Sequence, residues 1–360
     1  MKKNIIFNVI NIVISILFMT VLLFTKENPL SRIMSFIIIV TNILLSIYSM
    51  GISEHPKIKI GNIEGSVVFS NIAAFIMQIF LIVASLSDSF WLILVALLST
   101  FVFIECIMVF LKDLFRYLRF RIAITFTISF PTLILYCILL GYRNFNFKFP
   151  TTIFAIILIV LYVVLIFKEK NIIKITSYSA IFNMALILLA VGDFTSQGIY
   201  SSILFIISYT PVMFLLMTAC SSISDRYGKL GVSRVDAVFS HLPISGAGFM
   251  IGLLSIMGFP PFSLFFGRLN IIQSDVTAGD YIRTALIVVT LAVSSYFVLS
   301  RVMPVLFGPK DKSLVGIKEN KYSAFIMLLL GTLSLLLTIL IPGLIYELIN
   351  TARAYVLGIL

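Results

Sequence analysis

The sequence predicts an all-α, polytopic membrane helix bundle of about eleven transmembrane helices, and three observations lead there. Hydrophobic residues make up 60% of the 360 and charged ones only 11%, and the mean hydropathy of +1.14 lies far outside the range of soluble globular domains. Apolar windows of roughly 17 to 25 residues, the length needed to cross hydrocarbon, recur from end to end. The connections between them are too short to hold a soluble domain.

In chain order the windows fall near residues 5–25, 30–51, 66–86, 90–111, 121–141, 150–167, 176–192, 199–222, 243–273, 281–307 and 322–348. The stretch from Ile5 to Phe24 is too long for the apolar core of a cleaved signal peptide, and Thr25 to Asn28 makes a poor cleavage site, so it is expected to persist as a helix. The window at 243–273 differs from the others because Gly258-Phe-Pro-Pro261 interrupts it. Proline carries no N–H and its ring clashes with the preceding turn, so carbonyls at 254–258 lose their helical partners inside the membrane. Irregular backbone at that depth needs protein or a hydrated cavity beside it, and transporters place ion sites at such breaks. Gly258, Pro260 and Pro261 are therefore the expected hinge of a broken helix; a packing kink would use the same residues.

Assigning alternate loops to two faces puts nineteen of the 26 Lys and Arg on the face that holds the N-terminus and six on the other, with Arg268 left inside a window. Loops that are not translocated collect such residues, so the N-terminus is expected on the cytoplasmic or matrix side. The net charge of +11 is spread over one membrane face and calls for no nucleic-acid partner. Cys106, Cys137 and Cys220 have no paired spacing and read as packing residues. With His55 and His241 the only histidines and no Cys/His grouping, no metal or haem site is expected. No Walker loop or dinucleotide fingerprint is present, and no catalytic residue is expected in this chain alone.

Charge within hydrocarbon is costly and marks function. Glu105 has four apolar residues before it and five after, which makes it a candidate proton carrier whose alternative role is a structural pair with a neighbouring helix. Arg268 stays protonated at any accessible pH, so it can bias a proton but not readily carry one. His241, at the mouth of the broken helix, is a candidate entry relay for protons or a plain interfacial histidine. Ser177, Tyr178, Ser179, Asn183, Ser208, Tyr209, Thr210, Ser245, Ser255, Ser263 and Asn270 offer a path for ordered water, or bond to neighbouring helices. Asp88 and Asp193, at window ends, read as interfacial.

Two segments carry a family resemblance. Lys174-Ile-Thr-Ser-Tyr-Ser-Ala-Ile-Phe-Asn-Met184 resembles the Lys-Arg-Leu-Leu-Ala-Tyr-Ser-Ser-Ile-Ala-His-Met segment of the antiporter-like subunits of respiratory complex I, and Gly258-Phe-Pro-Pro-Phe-Ser-Leu-Phe-Phe-Gly-Arg268 resembles their Gly-Ile-Pro-Pro-Leu-Ala-Gly-Phe-Phe-Gly-Lys. Ser294 to Arg301 resembles their next helix, and Phe103-Ile-Glu-Cys-Ile-Met the segment bearing their membrane glutamate. Subunit 2 of NADH:quinone oxidoreductase and its bacterial counterpart, subunit N, are the most similar, with the related subunits of membrane-bound hydrogenases and Mrp-type sodium/proton antiporters beside them.

The resemblance implies two inverted repeats of five helices, each with a broken helix. Aligned on the two motifs, residues 1–65 supply N-terminal helices, 66–149 a first repeat lacking a helix pair near 142–149, 150–307 a whole second repeat and 308–360 a C-terminal helix. It also implies redox-coupled proton translocation, for which Glu105, Arg268, Lys174, Tyr178 and Asn183 lie in the matching segments and His241 is a further candidate from its position, with NADH, FMN, iron–sulfur clusters and quinone held by partner subunits. Other membrane subunits are the implied partners, with a phospholipid such as cardiolipin filling the place of the missing helices, in the mitochondrial inner membrane or a prokaryotic plasma membrane. Three departures weigh on that mechanism: Glu105 lacks its lysine partner, Arg268 replaces a lysine, and Asn183 replaces a histidine. A degenerate, non-conducting spacer subunit is the alternative.

Overall fold

The computed structural model describes residues 2–24, 28–52, 76, 79–87, 89–99, 116–141, 148–193, 195–227, 237–308 and 319–359. Glu105, Asp88, most of the window expected at 66–86 and the stretch 142–147 lie outside them. The chain is all-α, as expected, with six helices long and apolar enough to cross a membrane among the described residues. It forms two compact units, Met1–Asn144 with Ala354–Leu360, and Phe145–Arg353.

In the first unit, α1 (Lys2–Phe24) and α2 (Pro29–Ile52) pair along their length. Their seam is a ladder of small polar groups: Asn11 Nδ2 donates to Ser46 Oγ at 2.8 Å, Asn42 Nδ2 to Ser15 Oγ at 3.0 Å and Ser49 Oγ to Asn8 Oδ1 at 2.7 Å. Hydrocarbon offers no competing partners, so amide and hydroxyl pairs between helices give register and modest stability. The helical stretches at 79–85 and Phe90–Ser99 follow, and Ser85 joins the first of them to α2 through Ser35 Oγ at 2.9 Å. In α3 (Arg116–Gly141), Tyr136 donates its hydroxyl to the Ser87 carbonyl at 2.9 Å.

The second unit is built around α6 (Ser196–Tyr227), a 32-residue helix buried over most of its length. Around it lie α5 (Ile172–Gly192), α8 (Pro243–Met257), α9 (Ser263–Thr277) and α11 (Lys321–Leu340); α4 (Lys148–Lys168) packs on α5, and α10 (Tyr281–Phe307) lies against α4 and α9. The short α7 (Val238–His241) leads into α8. α4 shows why a uniformly apolar helix can still have one inner face: Thr151, Ala155, Ile159, Tyr162 and Ile166 are buried at helical spacing, while Phe154, Ile157, Val160, Leu161 and Val164 are exposed on the surface hydrocarbon would cover.

The window expected at 243–273 is two half-helices, α8 and α9, each 15 residues long and too short to span alone. Both pack on α6 through small residues. A Cβ at Gly252 would stand 3.2 Å from Leu216 Cα and one at Gly267 3.4 Å from Phe205 Cα, so glycine permits the close backbone approach. The final window, expected to end at 348, continues further: α11 passes through a widened turn at Ile341–Ile345, where Gly343 leaves helical geometry, into α12 (Tyr346–Leu357).

Candidate functional site

The break between α8 and α9 is closed by the residues that make it. Gly258 adopts a left-handed conformation (φ 80°, ψ 38°); its N–H donates to the Ser255 carbonyl and the Phe259 N–H to the Leu254 carbonyl, both at 3.0 Å. This pair of reverse bonds satisfies two of the carbonyls a helix end leaves open. The helical partners of the Ile256 and Met257 carbonyls would be the nitrogens of Pro260 and Pro261, which carry no hydrogen. Arg268, one turn into α9, fills the first gap, because its Nη2 donates to the Ile256 carbonyl.

The same nitrogen donates to Asn183 Oδ1 on α5 at 2.9 Å. Asn183 is oriented in turn by its Nδ2, which donates to the Ser179 carbonyl at 2.6 Å. The Phe182 ring presents its face 5.9 Å from the guanidinium carbon and stacks on Tyr162 at 5.0 Å, a favourable arrangement for a desolvated cation. Gly258 is shaped to this arginine, since a Cβ there would come within 2.4 Å of Arg268 Nη1.

Arg268 is 3% exposed, and among the described residues no carboxylate pairs with it. Its Nε and Nη1 have no hydrogen-bond partner there either. A guanidinium does not surrender its proton readily, and an unpaired buried charge costs several kcal/mol. The break therefore holds a permanent positive charge that two acceptors and a ring face offset only in part.

The other expected site residues are dispersed. Lys174 lies in the exposed first turn of α5, its Nζ 3.3 Å from Glu169 Oε2 with the lysine side chain 58% exposed. Partial burial works to raise the Glu169 carboxyl, but the N–H groups of Asn171 and Lys170 together with Lys174 outweigh it and hold it below its ordinary value. Tyr178 is half-buried. His241, at the end of α7, has its Nε2 buried without a partner among the described residues. Close by, the Glu319 carboxylate accepts from the Ser245 N–H at 2.7 Å and the Ile244 N–H at 3.1 Å, which places a negative charge on the positive end of α8.

One cluster escapes the sequence reading, which took Asp193 as interfacial. Asp193, just beyond α5, is 4% exposed and is bound by Arg283 Nη2 and by Ser274 Oγ at 2.8 Å. Asp275 and Asp280 approach the same guanidinium. The correction has a physical reason: the partners lie 81 and 90 residues away in sequence, so no local window shows that this end residue is covered.

Residues 120–295 match the NADH:quinone oxidoreductase/Mrp antiporter transmembrane family, a span that contains both resemblance motifs and the Arg268 site. The match covers just under half of the chain. A Staphylococcus aureus protein that carries the name antiporter subunit mnhD2 is 30% identical over 150 residues, which are 42% of this chain and 30% of that protein; the match thus spans less than a third of its length. Among solved structures, a chain of the membrane-bound sulfane sulfur reductase, an archaeal respiratory membrane complex, superposes with a TM-score of 0.72 at 16% identity, covering 89% of this chain and 66% of that one. A chain of the Mrp complex from Dietzia sp. gives 0.57 at 16%, covering 89% and 73%. A chain of respiratory complex I from Thermus thermophilus gives 0.57 at 13%, covering 94% and 92%. At these identities the shared property is the fold.

Proposed function

We propose that this protein is an antiporter-like subunit of a multi-subunit membrane complex and takes part in moving protons across the bilayer. The observation that carries the reading is Arg268: a buried cation without a carboxylate partner among the described residues, bound to a backbone carbonyl that the helix break leaves without its helical partner. Structure of this kind costs stability and is retained where charge must be presented at membrane depth. Arg268 would hold a positive potential at the break, raising or lowering the proton affinity of groups on either side, while Asn183 and the Ile256 carbonyl fix where that charge stands. The carriers would be titratable groups elsewhere, with Glu105 and His241 as candidates.

The setting of the resemblance is NADH:quinone oxidoreductase, where NADH, FMN, iron–sulfur clusters and quinone would lie in partner subunits and redox energy would drive transport. The relation to the Staphylococcus aureus antiporter subunit favours a second setting, an Mrp-type complex in which proton movement is exchanged for another cation. The two settings separate on one measurement. Membrane vesicles containing the assembled complex should acidify on NADH addition in the first, and respond only to an imposed sodium gradient in the second. In whichever assay works, Arg268→Gln should lower proton movement at least about tenfold, on the scale of a lost charge–charge coupling of 1.4 kcal/mol or more, with assembly unchanged. Full transport in the variant would leave the non-conducting spacer as the better reading.

A further inference from the structure

The end of the second unit opposite the Lys174 turn holds a charge arrangement that the Arg268 reading does not use. Arg283, the third residue of α10 and 7% exposed, directs one nitrogen, Nη2, at three carboxylates: Asp193 and Asp280 directly, and Asp275 Oδ1 at 3.5 Å. Its Nη1 reaches Thr152 Oγ1 at 3.5 Å, and its Nε has no partner among the described residues.

The three aspartates are not equivalent. The Asp280 side chain is 43% exposed and solvated. Asp193 is buried but served, with Arg283 on one oxygen and the Ser274 hydroxyl on the other. Asp275 is fully buried, and no N–H or O–H donor among the described residues bonds either of its oxygens. The ionisable groups that act on it are Asp193, Arg283 and Asp280.

One buried guanidinium can balance one buried carboxylate, and Asp193 has the better geometry for it. A second ionised carboxylate beside it would stand in a low dielectric without a donor and next to a like charge, which is the costly case. A proton removes both penalties at once: it neutralises the second group and gives it an O–H to donate to its neighbour. A metal cation is a poor occupant because a guanidinium already stands inside the cluster, and no metal-holding group of side chains is found among the described residues.

We infer that Asp193 and Asp275 form a proton-binding pair, in which Asp275 holds a proton at neutral pH and shares it with Asp193 while Arg283 balances the remaining charge. The pair lies at the ends of α5 and α9, so a proton bound there stands at one extremity of the bundle and beyond the fixed charge of Arg268 on the same half-helix. This inference does not depend on which complex the chain joins, nor on Arg268 acting in transport.

Infrared difference spectroscopy on the purified full chain in lipid nanodiscs tests it. At neutral pH the wild type should show the carbonyl stretch of a buried protonated carboxyl group, shifted by deuterium exchange and lost on alkalinisation. Asp275→Asn should remove that band, and Asp193→Asn should remove it as well, because Asp275 can then ionise against Arg283. Asp280→Asn should leave it in place. Should Asp275→Asn fail to fold, Asp193→Asn still decides the matter. A wild-type spectrum without the band, or a band that persists in every folded variant of Asp193 and Asp275, would overturn the pair.

Discussion

Among the described residues, the α1–α2 seam of the first unit and the charged sites of the second bury polar groups in different ways. Between α1 and α2 the buried groups are uncharged amides and hydroxyls, and none of Asn8, Asn11, Ser15, Asn42, Ser46 and Ser49 has a buried side-chain atom without a partner. In the second unit the buried groups include Arg268, Asp275 and Arg283, and each of these keeps an atom that no hydrogen bond serves among the described residues. A satisfied neutral ladder gives two helices a register and has no reason to change state. Buried charges left partly unserved are expensive, and their cost can be recovered whenever a proton, water or partner group arrives. The difference separates a seam that assembles the bundle from sites that can respond to charge.

Substitutions can break this contrast in order of expected effect. Arg283→Met would leave the Asp193 carboxylate buried and uncompensated, which should lower stability by about 3–5 kcal/mol, read as a fall in the melting temperature of the detergent-solubilised chain. Gly258→Ala combines a left-handed conformation with a Cβ 2.4 Å from Arg268 Nη1; it should cost about 1–3 kcal/mol in the same assay, and moving the arginine should also impair transport. Asn11→Ala removes one rung of the neutral ladder and should cost about 0.6–1.7 kcal/mol without altering transport per assembled complex. Lys174→Ala touches an exposed pair screened by solvent and should cost only about 0.2–0.5 kcal/mol.

The Lys174 turn also has a pH signature. Because the folded state holds Glu169 below its ordinary value, the pair contributes above the unfolded carboxylate range and loses that contribution as pH falls through the lowered folded value. Melting curves taken across mildly acidic pH should show a small loss of stability that Glu169→Gln abolishes.

Much of the fold could be read from residues alone. Long apolar windows with polar ends gave α4 and α10 to within a few residues, since hydrocarbon thickness sets their length. The break at Gly258 was legible because two consecutive prolines remove two donors, and Arg268 was legible because a charge inside an apolar window has few innocent explanations. The sequence did not show what Arg268 would bind. The Ile256 carbonyl is a backbone group with no residue signature, and Asn183 is one of many polar residues in α5 and α6. The Asp193–Asp275–Arg283 cluster was hidden for a different reason: each member lies at the end of its helix, where charge is ordinary, and only the packing of α5, α9 and α10 covers them. The last helix runs past 348, and its widened turn at Gly343 falls inside the expected window rather than at its end.

The contrast between the two units is tested most directly by measuring proton movement per assembled complex in vesicles for Arg268→Gln and Asn11→Ala side by side. Loss of transport in the first with normal transport in the second, both assembled, is the expected result. Equal transport in the two variants would contradict it, placing Arg268 with the structural residues.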